Sequence, residues 1–235
     1  MGSRTGFSDG RDTQVDHRQS LFRELAETVL IFLIFFLFGR AYILQPSEIP
    51  SASMEDTILI GDYILVNRFL YAPTVFDWER KLLPIREIRR GDVVVFKKPE
   101  EPEVDYIKRV IGLPGETIEV KRGYVTINGR QIDEPYVGQL YRSAGLDGTD
   151  FGPARVPAGH YFMMGDHRNR SADSRVWGTV PAHLIKGRAI LTVLSTDSKP
   201  PEGAAVGRVT LSSLGRKLLG LAFNMRLDRA FRFIH

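Results

Sequence analysis

Ser53 and Lys108 have the residue types and surroundings of a nucleophile and its general base. Ser53 lies in the run Pro-Ser-Ala-Ser, although serines in turns commonly do no more than cap backbone groups. The alternating run around Lys108 predicts a strand with Tyr106 and Val110 on the lysine's face and Arg109 on the other. Apolar neighbours desolvate a lysine and lower its pKa, so that it can accept a serine proton near neutral pH. The alternative is a lysine that extends its amine from a strand end to solvent.

A polar stretch at residues 165–175, Gly-Asp-His-Arg-Asn-Arg-Ser-Ala-Asp-Ser-Arg, supplies candidate partners for the lysine. Ser171 could hydrogen-bond the Lys108 amine and orient it. Asp173 and Arg175 could pair and make the loop rigid. The alternative is a solvated turn with a surface ion pair, which stabilises little.

The elements that must position these residues have the pattern of β-structure. From Ile58 onward, short β-rich runs such as ILIGDYILV, GDVVVF and RAILTVLS alternate with Gly, Pro and Asp turn signals. No long helical period and no fixed repeat follows them. We therefore predict a mainly β fold built on an antiparallel sheet, with a Gly- and Pro-rich excursion from it around residues 126–157.

Before these runs lies an apolar segment that predicts a membrane anchor. As a helix, Leu25–Leu44 would reach about 30 Å, the thickness of a bilayer's hydrocarbon core. Its uninterrupted apolar part, Val29–Phe38, is short enough to suit a buried helix or a cleaved signal as well. We favour a retained transmembrane helix at 24–45, a cytoplasmic tail at 1–23 and an exported domain at 46–235. The arginines before the segment agree with that orientation.

Composition narrows the classes of partner and cofactor. The formal charge of +4 suits anionic membrane lipids, and no recognition helix or aromatic-basic repeat favours nucleic acid. There is no cysteine, and the five histidines lack zinc-ligand spacing. We predict neither a metal nor a cofactor, and a monomer as the working form.

Several sequence blocks, in order after the apolar segment, resemble bacterial type I signal peptidases, the Ser/Lys proteases that remove signal peptides from exported proteins. The blocks are IPSASM with ILIGDYILVNRF, RRGDVVVFKKP, DYIKRVIGLPGE and GDHRNRSADSRVWGTVP with GRA at 187–189. The ending MRLDRAFRFIH is also similar to that family's. The resemblance covers roughly residues 45–125 and 158–195. It implies a single-pass protein of the bacterial inner membrane with its catalytic domain on the exported side.

The resemblance also implies a role for each matched residue. Ser53 would attack the scissile carbonyl, Lys108 would take its proton, and Ser171 would orient Lys108. The Ser51 hydroxyl and the Ser53 backbone N–H would hold the oxyanion. Asp173 and Arg175 would support the loop. The residues implied to line shallow pockets for small side chains are Ile49, Pro50, Met54, Ile58, Tyr106 and Ile107.

This chain departs from the family's pattern at a few positions. Asp56 replaces the usual proline, and we expect its side chain to close its own turn by hydrogen bonding. His167, Asn169 and Arg170 replace an asparagine, an aspartate and an asparagine. The altered loop favours a second candidate, a catalytically impaired, membrane-anchored β module that binds proteins or lipids. A third, a self-cleaving repressor with a Ser/Lys pair, is disfavoured by the apolar segment.

Overall fold

The computed structural model describes residues 23–34, 44–71, 85–138, 150–197, 207–208 and 226–235. The chain divides into two compact units, Met1–Tyr42 and Ile43–His235. In the first unit, residues 23–34 are helical, and apolar side chains such as Leu30, Phe32 and Ile34 lie exposed on that helix. Among the residues described, no helix combines the length and the apolar character needed to cross a membrane. Most of the remaining predicted span, 35–43, lies outside the described residues.

The second unit is an antiparallel β-structure, as the alternating runs predict. Its strands are β1 Leu44–Glu48, β2 Asp62–Asn67, β3 Val93–Lys97, β4 Asp105–Gly112, β5 Thr117–Lys121, β6 Tyr124–Ile127, β7 Arg130–Gln131, β8 Phe151–Arg155, β9 His160–Met164, β10 Val180–Pro181, β11 Ile185–Ser195, β12 Gly207–Arg208 and β13 Arg232–Phe233. The larger sheet has the order β10-β9-β4-β3-β11-β2-β1-β12, and β13 also pairs with β11. Every described strand pair in it is antiparallel.

Two of the predicted segments overlap strands of the structure. Strand β1 begins at Leu44, within the span predicted for 24–45, because Leu44 already pairs with Asn67 of β2. The described parts of the predicted excursion at 126–157 include strands that lie outside the larger sheet. Strands β7 and β8 and the end of β6 join β5 in a second, four-stranded sheet of order β7-β6-β5-β8.

The centre of the larger sheet is covered on both faces, which explains its nearly continuous apolar strands. Along β3, Val93 and Val95 pack into one core cluster, whereas Val94 and Phe96 pack into another on the opposite face. This is the two-residue alternation of a strand buried on both sides. Strand β4 lies beside β3, with Lys108 opposite Val94. A polar side chain at that position is therefore surrounded by apolar ones.

Candidate active site

Ser53 is carried by a single 3₁₀ turn, Ala52–Met54, that follows β1. The backbone N–H groups of Thr57 and Ile58 donate to the Met54 carbonyl at 2.8 and 2.7 Å and close the next turn. Met54 and Ile58 are fully buried in the core cluster that contains Val93 and Val95 of β3. Ile49, before the turn, is buried in the same cluster, and with both flanks anchored the turn holds the Ser53 hydroxyl toward β4.

Lys108 meets Ser53 from the centre of β4. Its Nζ lies 2.7 Å from Ser53 Oγ and donates to the Ile107 carbonyl at 3.0 Å. Only 5% of Ser53 and 4% of Lys108 remain exposed. The Tyr106 ring lies on the same face, 5.3 Å from Nζ. The hydroxyl and the amine are thus in direct contact in a site from which bulk water is almost excluded.

Burial makes this lysine a competent base. Desolvation lowers the pKa of Lys108 to about 8, and the negative charges of Asp173 and Asp166 oppose that shift only in part. An unperturbed lysine is almost wholly an ammonium at neutral pH. At pKa 8, roughly one-tenth of the amines are neutral at pH 7 and can accept the serine proton.

Ser51 lies beside the nucleophile. Its Oγ is 3.3 Å from Ser53 Oγ, and the residue is half-buried. A hydroxyl at this distance is close to the place where a carbonyl oxygen would develop negative charge during attack by Ser53.

Ser171 is close to the site but makes a different bond from the one predicted. Its hydroxyl donates to Asp173 Oδ2 at 2.7 Å, and the described partners of Lys108 Nζ are Ser53 and Ile107. An ionised carboxylate two residues away is a strong acceptor for a hydroxyl. Since this bond uses the Ser171 proton, the lone pairs of its oxygen remain able to accept from Lys108.

Asp173 and Arg175 form an ion pair within the polar loop. Arg175 donates through Nε to Asp173 Oδ1 and through one terminal nitrogen to Oδ2, both at 2.8 Å. Asp173 also accepts from the Gly165 backbone N–H at 3.1 Å. The pair is almost fully buried, so it is not the weak surface pair of the alternative interpretation.

Gly165 is the point where the nucleophile turn and the polar loop meet. A Cβ at this position would lie 2.6 Å from Ser171 Cβ and still closer to Ser171 Oγ and the Ser53 carbonyl oxygen. The His167 backbone N–H also donates to the Ser53 carbonyl at 3.2 Å. Only glycine permits this approach, which pattern reasoning did not single out.

The implied substrate-pocket residues have little exposed surface. Ile49, Met54, Ile58 and Ile107 are fully enclosed in one core cluster. Pro50 is buried and Tyr106 half-buried. The first four therefore form a floor beneath the site rather than open pocket walls.

Arg109 and Asp166 form a buried ion pair that the sequence interpretation missed. Their side chains are each 1% exposed, and Arg109 Nε donates to Asp166 Oδ1 at 2.8 Å. The Thr57 hydroxyl donates to Asp166 Oδ2 at 2.5 Å, so the pair joins β4, the polar loop and the nucleophile turn. An arginine next to Lys108 in a buried strand was the available signal, since a buried arginine needs an anionic partner.

The family departures lie around this centre. Asp56 does not close its own turn as predicted, because its Oδ2 accepts from the Gly138 backbone N–H at 3.1 Å and backbone bonds close the turn instead. His167 and Arg170 both approach the half-exposed Glu55, at 3.4 and 3.9 Å. The side chains of His167 and Arg170 thus contact the rim, and only the backbone of His167 reaches Ser53.

Comparison with known proteins places these residues in one family. The model of the family described as signal peptidase, peptidase S26, matches residues 22–194. Signal peptidase I of Pseudomonas aeruginosa is 35% identical over 212 residues, which cover 76% of this chain and 75% of that protein. Signal peptidase I of Aquifex aeolicus is 33% identical, covering 77% of this chain and 88% of that protein. Signal peptidase I of Bacillus licheniformis is 34% identical, covering 70% of this chain and 83% of that protein.

A crystal structure of a signal peptidase I from Enterococcus faecalis is 34% identical to this chain. The superposition covers 44% of this chain and 97% of the Enterococcus chain, with a TM-score of 0.40. The sequence matches, rather than this partial superposition, carry the assignment.

The acylation of Ser53 should depend on pH through Lys108. Because the pKa of Lys108 is lowered to about 8 and the base must be neutral, the rate should rise about tenfold per pH unit below that value and level off above it. The measurement is the second-order rate of reaction with an electrophilic acylating probe between pH 5 and 10. A rate that does not change over this range would rule out lysine as the base.

Gly165→Ala should slow the same reaction by about 10²-fold or more, because the added methyl group would displace Ser171 or the Ser53 backbone. Circular dichroism should show the β-structure retained. The control is Gly129→Ala in the β6–β7 turn, where a Cβ would meet nothing within 4 Å but the φ of +79° strains any side chain, so it tests whether backbone strain away from the site alone slows acylation. Equal acylation rates for Gly165→Ala and wild type would contradict the proposed packing.

Proposed function

This chain belongs to the signal peptidase family, peptidase S26, and we propose that it removes N-terminal signal peptides from exported pre-proteins by a Ser53–Lys108 dyad. The observation that supports this most directly is the 2.7 Å contact between Ser53 Oγ and Lys108 Nζ in a nearly water-free site. A serine with a desolvated lysine as its base is a complete nucleophile for acyl transfer. No cofactor is required by this chemistry.

The proposed reaction proceeds in two stages. Neutral Lys108 takes the Ser53 proton as Oγ attacks the scissile carbonyl, and the Ser51 hydroxyl with the Ser53 backbone N–H stabilises the oxyanion. The Lys108 ammonium then donates its proton to the leaving amine, which departs as the mature protein's N-terminus. Water, activated by the same lysine, hydrolyses the acyl-enzyme and releases the signal peptide.

The edge of β4 offers a place for the substrate backbone. Strand β4 pairs with β3 along one edge from Asp105 to Arg109. Along its other edge, β9 pairs with it only from Arg109 onward. In the described sheet, the stretch Asp105–Lys108 therefore has one free edge. An extended peptide can hydrogen-bond to such an edge and present its scissile bond to Ser53. Because the floor beneath the site is closely packed, it would exclude large side chains, which would explain cleavage after a small-x-small motif.

We further propose that the protein acts at the bacterial inner membrane, as a monomer, with its N-terminus in the cytoplasm and unit Ile43–His235 on the exported side. The exposed apolar side chains of helix 23–34 support a lipid-embedded position for that helix. Ser53 follows the end of β1 by only five residues. A nucleophile so close in sequence to an anchor suits a substrate that is itself held in the membrane.

Ser53→Ala and Lys108→Met should each reduce cleavage of a secretory pre-protein by roughly 10⁴-fold or more, because each removes one half of the dyad. The full chain in detergent is incubated with the pre-protein, and mass spectrometry locates the cut, expected after a small-x-small motif. Lys121→Met, at an exposed lysine of the second sheet, is the matched control. An intact pre-protein with wild type, or wild-type cleavage by either dyad variant, would refute the proposal and favour the impaired binding module.

Ser51→Ala should lower kcat by about 10²-fold, since it removes one oxyanion donor without removing the nucleophile or the base. The pH midpoint of kcat/KM should remain that of wild type, because Ser51 makes no described contact with Lys108. Steady-state kinetics with a signal-peptide substrate checks both values. A shifted midpoint with unchanged kcat would assign Ser51 to the base instead.

A further inference from the structure

The segment 134–138, Glu-Pro-Tyr-Val-Gly, connects the second sheet to all the elements of the candidate site. It follows β7 and belongs to the region that sequence patterns predict to be an excursion. Its side chains and backbone contact the polar loop, β4 and the turn after Ser53, through three separate sets of bonds. The inference drawn from these contacts rests on the proposed function of the Ser53–Lys108 pair.

The first contact holds the polar loop. Glu134, which is 5% exposed, accepts from both terminal nitrogens of Arg168, one at 3.0 Å and the other in a shorter bond. Arg168 is 1% exposed, and its Nε donates to the Gly165 carbonyl at 3.1 Å. Gly165 is the residue that lies against Ser171 and the Ser53 carbonyl. The position of Glu134 is thus transmitted to the nucleophile through one guanidinium group.

The second contact holds β4. The Tyr136 ring lies against the guanidinium group of Arg109, whose Cζ is 4.0 Å from the ring centroid. The Tyr136 hydroxyl donates to Glu134 Oε1 at 3.0 Å. Arg109 is the neighbour of Lys108 and pairs with Asp166. One aromatic side chain therefore joins the ion pair of β4 to that of the polar loop.

The third contact holds the nucleophile turn. The Gly138 backbone N–H donates to Asp56 Oδ2 at 3.1 Å, three residues after Ser53. A Cβ at Gly138 would lie 2.6 Å from Asp56 Oδ1, so a side chain there would push the Asp56 carboxylate aside. Asp56 is one of the residues at which this chain departs from the family's pattern.

We propose that Glu134 and Tyr136 are positioning residues for catalysis, which act through Arg168 and Arg109 to keep the polar loop closed over Lys108. The described hydrogen-bonding and cation–π contacts of both side chains are with Arg168, Arg109 and each other, not with the dyad. Their effect is on the geometry of Ser171 and Gly165 and on the exclusion of water from the Lys108 amine. Because a carboxylate–guanidinium pair is directional and buried, it holds the loop in one arrangement rather than several.

Glu134→Gln tests the proposal with little change in shape. It should lower kcat by about 10- to 100-fold and leave KM within about twofold, since misplacement of catalytic groups reduces kcat more than substrate binding. A loosened loop admits water, which favours the ammonium form of Lys108. The midpoint of the pH profile of kcat/KM should therefore move to higher pH.

Two further variants separate positioning from folding. Tyr136→Phe removes only the hydroxyl that donates to Glu134 and should produce a smaller shift in the same direction, with about a threefold lower kcat. Glu119→Gln makes the same carboxylate-to-amide change beside the exposed Lys121 of the second sheet and should stay within about twofold of wild type. All rates are expressed per active site, counted by stoichiometric titration with an electrophilic acylating probe.

The outcomes are distinct. A purely structural role for Glu134 would reduce the number of active sites but leave kcat per site and the pH midpoint unchanged, and this result would overturn the inference. The inference would also be overturned if Tyr136→Phe had the wild-type kcat per site and the wild-type pH midpoint. If wild type leaves the pre-protein intact, the proposed function fails. The acylation rate of the probe then replaces kcat, and the same comparison still decides the role of Glu134 and Tyr136.

Discussion

Removal of water from a single amine is the constraint on which the rest of the structure depends. An ammonium group surrounded by protein loses hydration that costs several kcal/mol to replace, and it can avoid much of that cost by releasing its proton. Lys108 is enclosed by β-strands and has the Ser53 hydroxyl and a carbonyl as its hydrogen-bonding partners. The same burial that would destabilise a charged lysine thus lowers the pKa of the Lys108 amine to about 8.

The adjacent arginine shows why the alternation of side chains along β4 matters to the charge state of Lys108. Arg109 cannot lose its proton, so its burial requires a carboxylate, which Asp166 supplies. Alternation sends the two side chains to opposite faces of β4, and the Asp166 charge only partly offsets the desolvation of Lys108. Placing the Asp166 carboxylate directly against Lys108 would stabilise the ammonium and remove the base. Sheet geometry therefore keeps the base and the ion pair apart within two residues of chain.

Local patterns predicted much of this arrangement. Two-residue periodicity identified β4 and the face of Lys108, and the polar run at 165–175 identified Asp173 and Arg175 as a pair. The patterns could not predict contacts set by tertiary packing. The bond from Ser171 to Asp173, the approach of Gly165 to Ser53 and the anchoring of Arg168 by Glu134 all join segments whose distance in space no local pattern encodes. The start of β1 is also set by tertiary pairing, since Leu44 pairs with Asn67 of β2.

Burial also explains which departures from the family's pattern the site can accommodate. His167 and Arg170 lie at least partly exposed around Glu55, where solvent screens charge and an ion pair stabilises little. Ser171, Asp173 and Arg175 match the pattern and make the buried bonds next to the dyad, where loss of a partner is far more costly. The altered loop therefore changes the rim of the site while the bonds that hold its interior remain. Substitutions distributed in this way leave the Ser53–Lys108 contact and the buried bonds around it in place.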